Sequence, residues 1–276
     1  MNVLSIQSDV AYGHVGNAAA RFALQCLGHE VWALPSVLLS SHAGYPNVEG
    51  EAMPAALLTR LVGGLEANGW LSSCDAVISG YLGSADQADV VADAVRRVKR
   101  ANEKAFYCLD PVFGDDGRAY AKQGVAQAMA RMLLPLADIV APNAFELSNL
   151  TGASVHNAAD AVAAARRLGK NTVLATSIPQ GADRLGTLVL HNGEAWIVST
   201  PRLAQVPHGA GDLLAALFVG RLLIGHTAEG ALELAVRSVF HILRKSEGES
   251  EMRLISEQRA LAGPPELQDL KIEKLA

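Results

Sequence analysis

Cysteine is scarce: Cys26, Cys74 and Cys108 are the only three in 276 residues, scattered and each in apolar company. Their spacing fits neither a disulfide framework nor a zinc knuckle, and reduced, buried thiols in a cytoplasmic protein are expected. Charge is also sparse, at 18% of residues with a net −5, and aromatics make up 5%. No basic run with interleaved aromatics occurs, so no nucleic-acid partner is expected. No stretch reaches the roughly 20 apolar residues of a membrane span. The N-terminus opens as a strand without a basic and then apolar leader, so neither a membrane nor a signal peptide is expected. The string G-x-x-x-x-G-K-[ST] is missing, which excludes a Walker A loop as the nucleotide device. Repeats, low-complexity segments and Gly/Ser linkers are lacking as well. Residues 1–276 therefore read as a single domain, with a charged, peripheral tail from about 247 that Gly263-Pro264-Pro265 interrupts.

Half of the residues are hydrophobic, enough for a substantial core. Short apolar strands alternate with helical patterns. Strands are read at 2–6, 31–35 (continuing extended to 40), 75–80, 105–109, 138–141 and 172–176. Helices are read at 18–27, 51–68, 86–100, 122–134, 144–150, 158–168 and 228–245. Asn192-Gly193 marks a hairpin between 185–190 and 195–199. This alternation predicts an α/β fold with a mostly parallel central sheet and helices on both faces, a three-layer sandwich.

The most informative stretch is Pro207-His208-Gly209-Ala210-Gly211-Asp212, followed by the apolar run Leu213–Val219. A helix that is apolar almost all round is buried and rigid. Its first-turn amides then point in one direction, and glycine lets an anion approach that backbone. Asp212 stands where a substrate hydroxyl could lie between its carboxylate and the anion, a layout suited to phosphoryl transfer to an alcohol. Such transfer has a loose transition state, so a weakly basic carboxylate that orients the nucleophile suffices. A Gly-rich turn with Asp in the first turn of a core helix is the plainer reading of the same residues.

Further polar residues fall at the predicted carboxyl ends of strands: Ser8, Tyr81, Asp110, Asn143 with Glu146, and Thr176 with Ser177. A doubly wound sheet gathers such ends along one edge. Asp110 and Glu146 could position Mg²⁺ through water; alternatively Asp110 is a turn residue before Pro111 and Glu146 a first-turn acid favoured by the helix dipole. Thr176 and Ser177 could bond phosphate oxygens or cap local backbone. The turn-rich loop Ser41–Pro46 carries His42, either a binding residue or an ordinary loop histidine.

These strings together resemble the ribokinase-like superfamily, and within it the pyridoxal kinases, from Val3 to about Arg244. The carrying residues are Ser5-Ile6-Gln7-Ser8 with Gly13-His14-Val15-Gly16-Asn17, Ser41-His42-Ala43-Gly44-Tyr45, Ser79-Gly80-Tyr81, Asp110–Asp115, Pro142–Glu146 and Gly209–Asp212. The resemblance implies ATP-dependent phosphorylation of the 5′-hydroxymethyl group of pyridoxal, and of pyridoxine or pyridoxamine, usually by a homodimer. It implies Ser8 as a pyridine contact, and Val15, Leu39, Ala43, Gly44 and Tyr81, with His42, on the vitamin side. It puts Asp110, Ala141, Asn143, Glu146, Thr176 and Ser177 with the nucleotide and its cations (Mg²⁺ and a monovalent ion), and Val206, Pro207 and His208 with adenine. Asp212 matches the family's base, and Gly209, Ala210 and Gly211 its anion hole. A mobile lid over ATP, by the same analogy, falls at Gly114–Gln123, and the strands near 31–46 are candidates for the dimer contact.

Three positions depart from the family pattern. Ala43 stands for threonine, Leu39 for an aromatic, and Ala141 for threonine near the cation. Loss of one polar contact in a buried pocket costs on the order of 1 kcal/mol, so these changes bear on substrate choice more than on chemistry. No cysteine lies between 109 and 276, which excludes a hemithioacetal with pyridoxal in the loop after Asp110-Pro111. A kinase of hydroxymethylpyrimidine or another small alcohol, and a vitamin B6-binding protein with little turnover, remain alternatives.

Overall fold

Along the chain, successive sheet residues alternate between two apolar environments, as the two-residue period of a strand requires. Val3, Ala76, Ile78, Cys108, Ile139 and Leu174 enter one core, and Leu4, Ile6, Val77, Tyr107, Leu109 and Val140 the other. Two buried faces dictate helices above and below the sheet. The computed structural model describes residues 1–115 and 117–275; Asp116, part of the lid expectation, lies outside them.

The strands are β1 (Asn2–Val10), β2 (Glu30–Leu39), β3 (Gly50–Ala52), β4 (Cys74–Ser79), β5 (Phe106–Leu109), β6 (Gly114–Asp115), β7 (Arg118–Ala119), β8 (Ile139–Val140), β9 (Thr172–Pro179), β10 (Arg184–His191), β11 (Glu194–Pro201) and β12 (Ile272–Leu275). The helices are α1 (Asn17–Cys26), α2 (Ala55–Ala67), α3 (Gln87–Ala101), α4 (Val125–Ala128), α5 (Ala144–Thr151), α6 (Ala158–Arg167), α7 (Ala210–Leu223), α8 (Ala228–Lys245) and α9 (Arg259–Ala262). A ten-stranded sheet runs β12-β11-β10-β9-β8-β5-β4-β1-β2-β3. From β2 to β9 every pairing is parallel; the strands at both ends are antiparallel. Helices α1, α7 and α8 cover one face, and α2 to α6 the other. The strand order reverses beside β1, which pairs with β2 on one side and β4 on the other, and a crevice opens at such a switch point.

Several boundaries differ from the sequence reading. The helix expected over 51–68 begins at Ala55, because Pro54 occupies its N-cap and Gly50–Ala52 pair with β2 as an edge strand. The helix expected over 122–134 is broken: Gly124, at φ 83°, delays its start, and after α4 the chain widens into a π turn over Met129–Leu133 and tightens at Leu134–Leu136. Ser8 lies within β1, and Thr176 and Ser177 lie within β9, rather than beyond strand ends. The loop after Asp110-Pro111 contains the small β6–β7 hairpin. The segment from 247, expected to be peripheral, is packed: Met252, Leu254, Leu261 and Leu270 are buried in the core, and β12 extends the sheet.

Candidate functional site

A cavity of about 460 Å³ opens at the carboxyl edge of the sheet, within the range of small-molecule sites. Its floor is the start of α7. Gly209 takes the left-handed conformation (φ 96°) as N-cap, and a Cβ there would meet His14 O at 1.9 Å. The first intrahelical bond runs from Leu213 N–H to Gly209 O at 3.0 Å. The amides of Ala210, Gly211 and Asp212 therefore have no acceptor within the helix. A Cβ added at Gly211 would meet nothing within 4 Å, so the space beside this backbone is open.

Asp110, Ala141, Asn143, Glu146, Thr176, Ser177, Val206, Pro207, His208 and Gly209 to Asp212 all line this cavity. The structure thus brings together every residue that the sequence placed on the nucleotide side. Asn143 caps α5 in a reciprocal box: its Oδ1 accepts from Glu146 N at 2.9 Å, and Glu146 Oε2 accepts from Asn143 N at 3.0 Å. Glu146 Oε1 also accepts from Phe113 N at 3.0 Å, which fixes the loop after Asp110. The first-turn reading of Glu146 is realised, with the capping box as an addition the structure supplies, and the same side chain borders the cavity. Ser177, at φ 56°, sits in a bulge where Thr176-Ser177 oppose the single residue Thr187. A non-glycine residue held in that region is strained, and such strain concentrates at functional positions.

The acids in the cavity are displaced from ordinary behaviour. Burial pushes Asp110 well above the usual carboxylate range, and the nearby Glu146 and Asp212 push it further. Burial raises Glu146 despite its three backbone donors. Asp212 stays partly open to the cavity, yet burial of its carboxylate raises it to about 6, against the Gly16 amide that bonds Oδ2 at 2.8 Å. Desolvation therefore raises this carboxyl, outweighing the Gly16 hydrogen bond that would hold it low. No lysine or arginine is among the described residues lining the cavity.

Ser8, Val15, Leu39, His42, Ala43, Gly44 and Tyr81 do not line that cavity; His42 and Gly44 lie against His208, which does. Ser8 backs the turn before α1, since a Cβ on Gly16 would meet its carbonyl at 2.2 Å. His42 stacks against His208 with ring centroids 4.6 Å apart. Leu39 ends β2, Ala43 and Gly44 are exposed on the following loop, and Tyr81 follows β4 beside the switch point. Burial holds His42 below the ordinary imidazole range, helped by His208 and opposed by Glu251. Glu251 was missed by sequence reading, because a lone acid in a charged tail carries no signal. Thr187 and Thr200 of the hairpin, and Phe240 and Leu243 of α8, also line the cavity and were missed. They look like ordinary strand and core residues until the sheet is assembled.

Comparison with known proteins agrees with this geometry. A family model described as phosphomethylpyrimidine kinase matches residues 68–252. A pyridoxal kinase of Rubrobacter xylanophilus is 44% identical over 275 residues, spanning 96% of this chain and 95% of its own. A pyridoxal kinase of Corynebacterium diphtheriae is 41% identical over 273 residues, 96% of each chain. Among solved structures, pyridoxal kinase from Leishmania donovani in complex with ADP and pyridoxine superposes with a TM-score of 0.93 at 32% identity, covering 100% of this chain and 99% of that one. Pyridoxal kinase from Entamoeba histolytica gives 0.92 at 28% identity, covering 99% of each.

Proposed function

The chain belongs to the pyridoxal kinases, and from that premise we propose how its own residues carry out ATP-dependent phosphorylation of a B6 vitamer. The reaction is transfer of the γ-phosphoryl group of ATP to the 5′-hydroxymethyl oxygen of pyridoxal, on a ribokinase-like fold. One observation carries the assignment of roles. Asp212 stands at the seam, on the helix turn that floors the nucleotide cavity, and its carboxylate is bonded to Gly16 of the turn on the acceptor side.

Asp212 accepts the proton of the 5′-hydroxyl and aims its oxygen at the phosphorus. The amides of Ala210, Gly211 and Asp212 hold charge developing on the transferring group, by dipoles already fixed in place. Thr176, Ser177 and Asn143 bond phosphate oxygens, and Val206, Pro207 and His208 border the adenine. Ser8, Val15, Leu39, His42, Ala43, Gly44 and Tyr81 form the vitamin side. Asp110 and Glu146 suit Mg²⁺ held through water. Both are buried hard-oxygen donors without a basic partner lining the cavity, and a polyphosphate beside them requires a counter-charge. Among the described residues no cluster of three or more ligands is assembled for direct coordination, which suits a metal held mainly by phosphate and water. When bound, Mg²⁺ neutralises phosphate charge. A monovalent cation rests on resemblance alone, and exchanging potassium for sodium in the assay tests it.

A homodimer fits the exposed Leu38 and Tyr12 near the β2–β3 edge, 52% and 58% accessible; sedimentation equilibrium tests it. Cytoplasmic residence fits the free thiols of Cys26, Cys74 and Cys108. The relatives are kinases, which disfavours a binding protein without turnover. A hydroxymethylpyrimidine substrate is the second reading, favoured by the family match over 68–252 and by Ala43. A coupled ADP-release assay decides. Pyridoxal is expected to give the highest kcat/KM in a panel with pyridoxine, pyridoxamine and hydroxymethylpyrimidine, and preference for the pyrimidine would overturn the assignment.

A further inference from the structure

The tail segment after α8 returns to the acceptor side and inserts one carboxylate, 14% exposed, beside the vitamin loop. Glu251 Oε2 accepts from His14 N at 3.0 Å. Its Oε1 accepts from Tyr45 Oη at 2.8 Å and pairs with His42 Nε2 at 3.1 Å. These contacts join the turn before α1 to the loop after β2. His14 also turns its carbonyl onto Gly209, the N-cap of the anion cradle.

The chemistry of an ionised carboxylate makes this arrangement directional. It accepts only, so the proton on His42 must sit on Nε2. That leaves Nδ1 as an acceptor, and the Gly44 amide donates to it at 3.1 Å. One carboxylate thereby sets the tautomer of His42, and the tautomer sets the backbone of Gly44. A second-sphere acid fixing a histidine in this way is a familiar device where ring orientation matters.

We propose that Glu251 is a positioning residue for the acceptor half of the site, holding the 41–45 loop and the 13–16 turn in register with the phosphate cradle through the His42 tautomer and the His14 amide. The inference rests on the kinase reading above for its substrate. Glu251 itself touches no reacting atom. A glutamine at this position keeps the volume, but its NH₂ group can donate to His42 and stabilise the opposite tautomer, which repels the Gly44 amide.

The test compares Glu251→Gln with Glu257→Gln, a carboxylate in the same segment that pairs with His241 Nε2 at 2.9 Å. In E251Q the KM for pyridoxal is expected to rise about tenfold, with the KM for ATP and the melting temperature near wild type. Hydrogen exchange of the 13–16 and 42–45 amides should accelerate. E257Q should leave both KM values and those amides unchanged. Unaltered pyridoxal KM and exchange in E251Q would overturn the proposal. So would equal rises in both KM values tracking a lower melting temperature, which would make Glu251 a merely structural residue. A wild-type protein inactive on all three vitamers would instead overturn the kinase reading, and the exchange data would still decide whether the clamp exists.

Discussion

Two glycines two positions apart obey different constraints. A methyl group on Gly209 would meet the His14 carbonyl at 1.9 Å, and the backbone there holds φ at 96°. A methyl group on Gly211 would meet no protein atom within 4 Å and would project into the space assigned to the transferring phosphate. Gly209→Ala should therefore lower the melting temperature, while Gly211→Ala should melt as wild type and lose kcat; calorimetry and a steady-state assay separate them. Asp212 yields a second expectation. Asp212→Asn should lower kcat by about 10²–10⁴-fold while ADP still binds by calorimetry. Because burial sets its carboxyl at about 6, kcat/KM of the wild type should fall below roughly pH 6 as the base is protonated. An acid limb unchanged at another position of the pH scale would remove Asp212 from the base role.

Helix α7 shows what an element's sequence conveys and what it hides. Its apolar run predicted burial, and Leu213 to Val219 are all buried. The same helix carries Arg221, 1% exposed, whose guanidinium donates to Ser238 Oγ at 2.9 Å and Leu261 O at 2.8 Å, tying α7 to α8 and α9. Burial lowers its pKa to about 10, which leaves it charged at neutral pH. Arg221→Ala orphans those acceptors and opens a cavity, and should cost about 2–4 kcal/mol in chemical denaturation. Nothing in the local pattern announces this, because the partners lie 17 and 40 residues away. The same rule governs the rest of the chain. Strand alternation, the Asn192-Gly193 hairpin and the first-turn place of Glu146 are local, and were legible. Glu251, the Thr176-Ser177 bulge and the packed tail depend on long-range pairing, and were not. Asp110, Asn143, Glu146 and Thr176 were legible as polar groups at strand ends, which a parallel sheet gathers whatever the loop details, whereas Ala141 and Val206 to His208 came only from the family resemblance; Ser8 and Thr176 were found even though their strands run past them.

At the scale of the molecule, the acid cluster couples stability to pH and to cation. Asp110 is buried near Glu146 and Asp212, and its pKa lies well above the value near 4 of an unfolded chain. Between those two values the folded state binds more protons than the unfolded state, so stability falls as pH rises. The ligand-free protein should therefore lose melting temperature from pH 5 to pH 8 more steeply than its Asp110→Asn variant, which cannot ionise there. The variant should melt higher than wild type at pH 8, by about 2–4 °C for each 1 kcal/mol relieved, and the gap should narrow toward pH 5 as the wild-type carboxyl takes up its proton. Adding magnesium with ADP reverses the order, because a ligand that binds only the folded chain stabilises it by mass action, and the variant has lost a carboxylate that holds the metal's waters. Parallel melting curves for the two proteins at pH 5 and pH 8, with equal gains from magnesium and ADP, would separate Asp110 from both the charge strain and the cation.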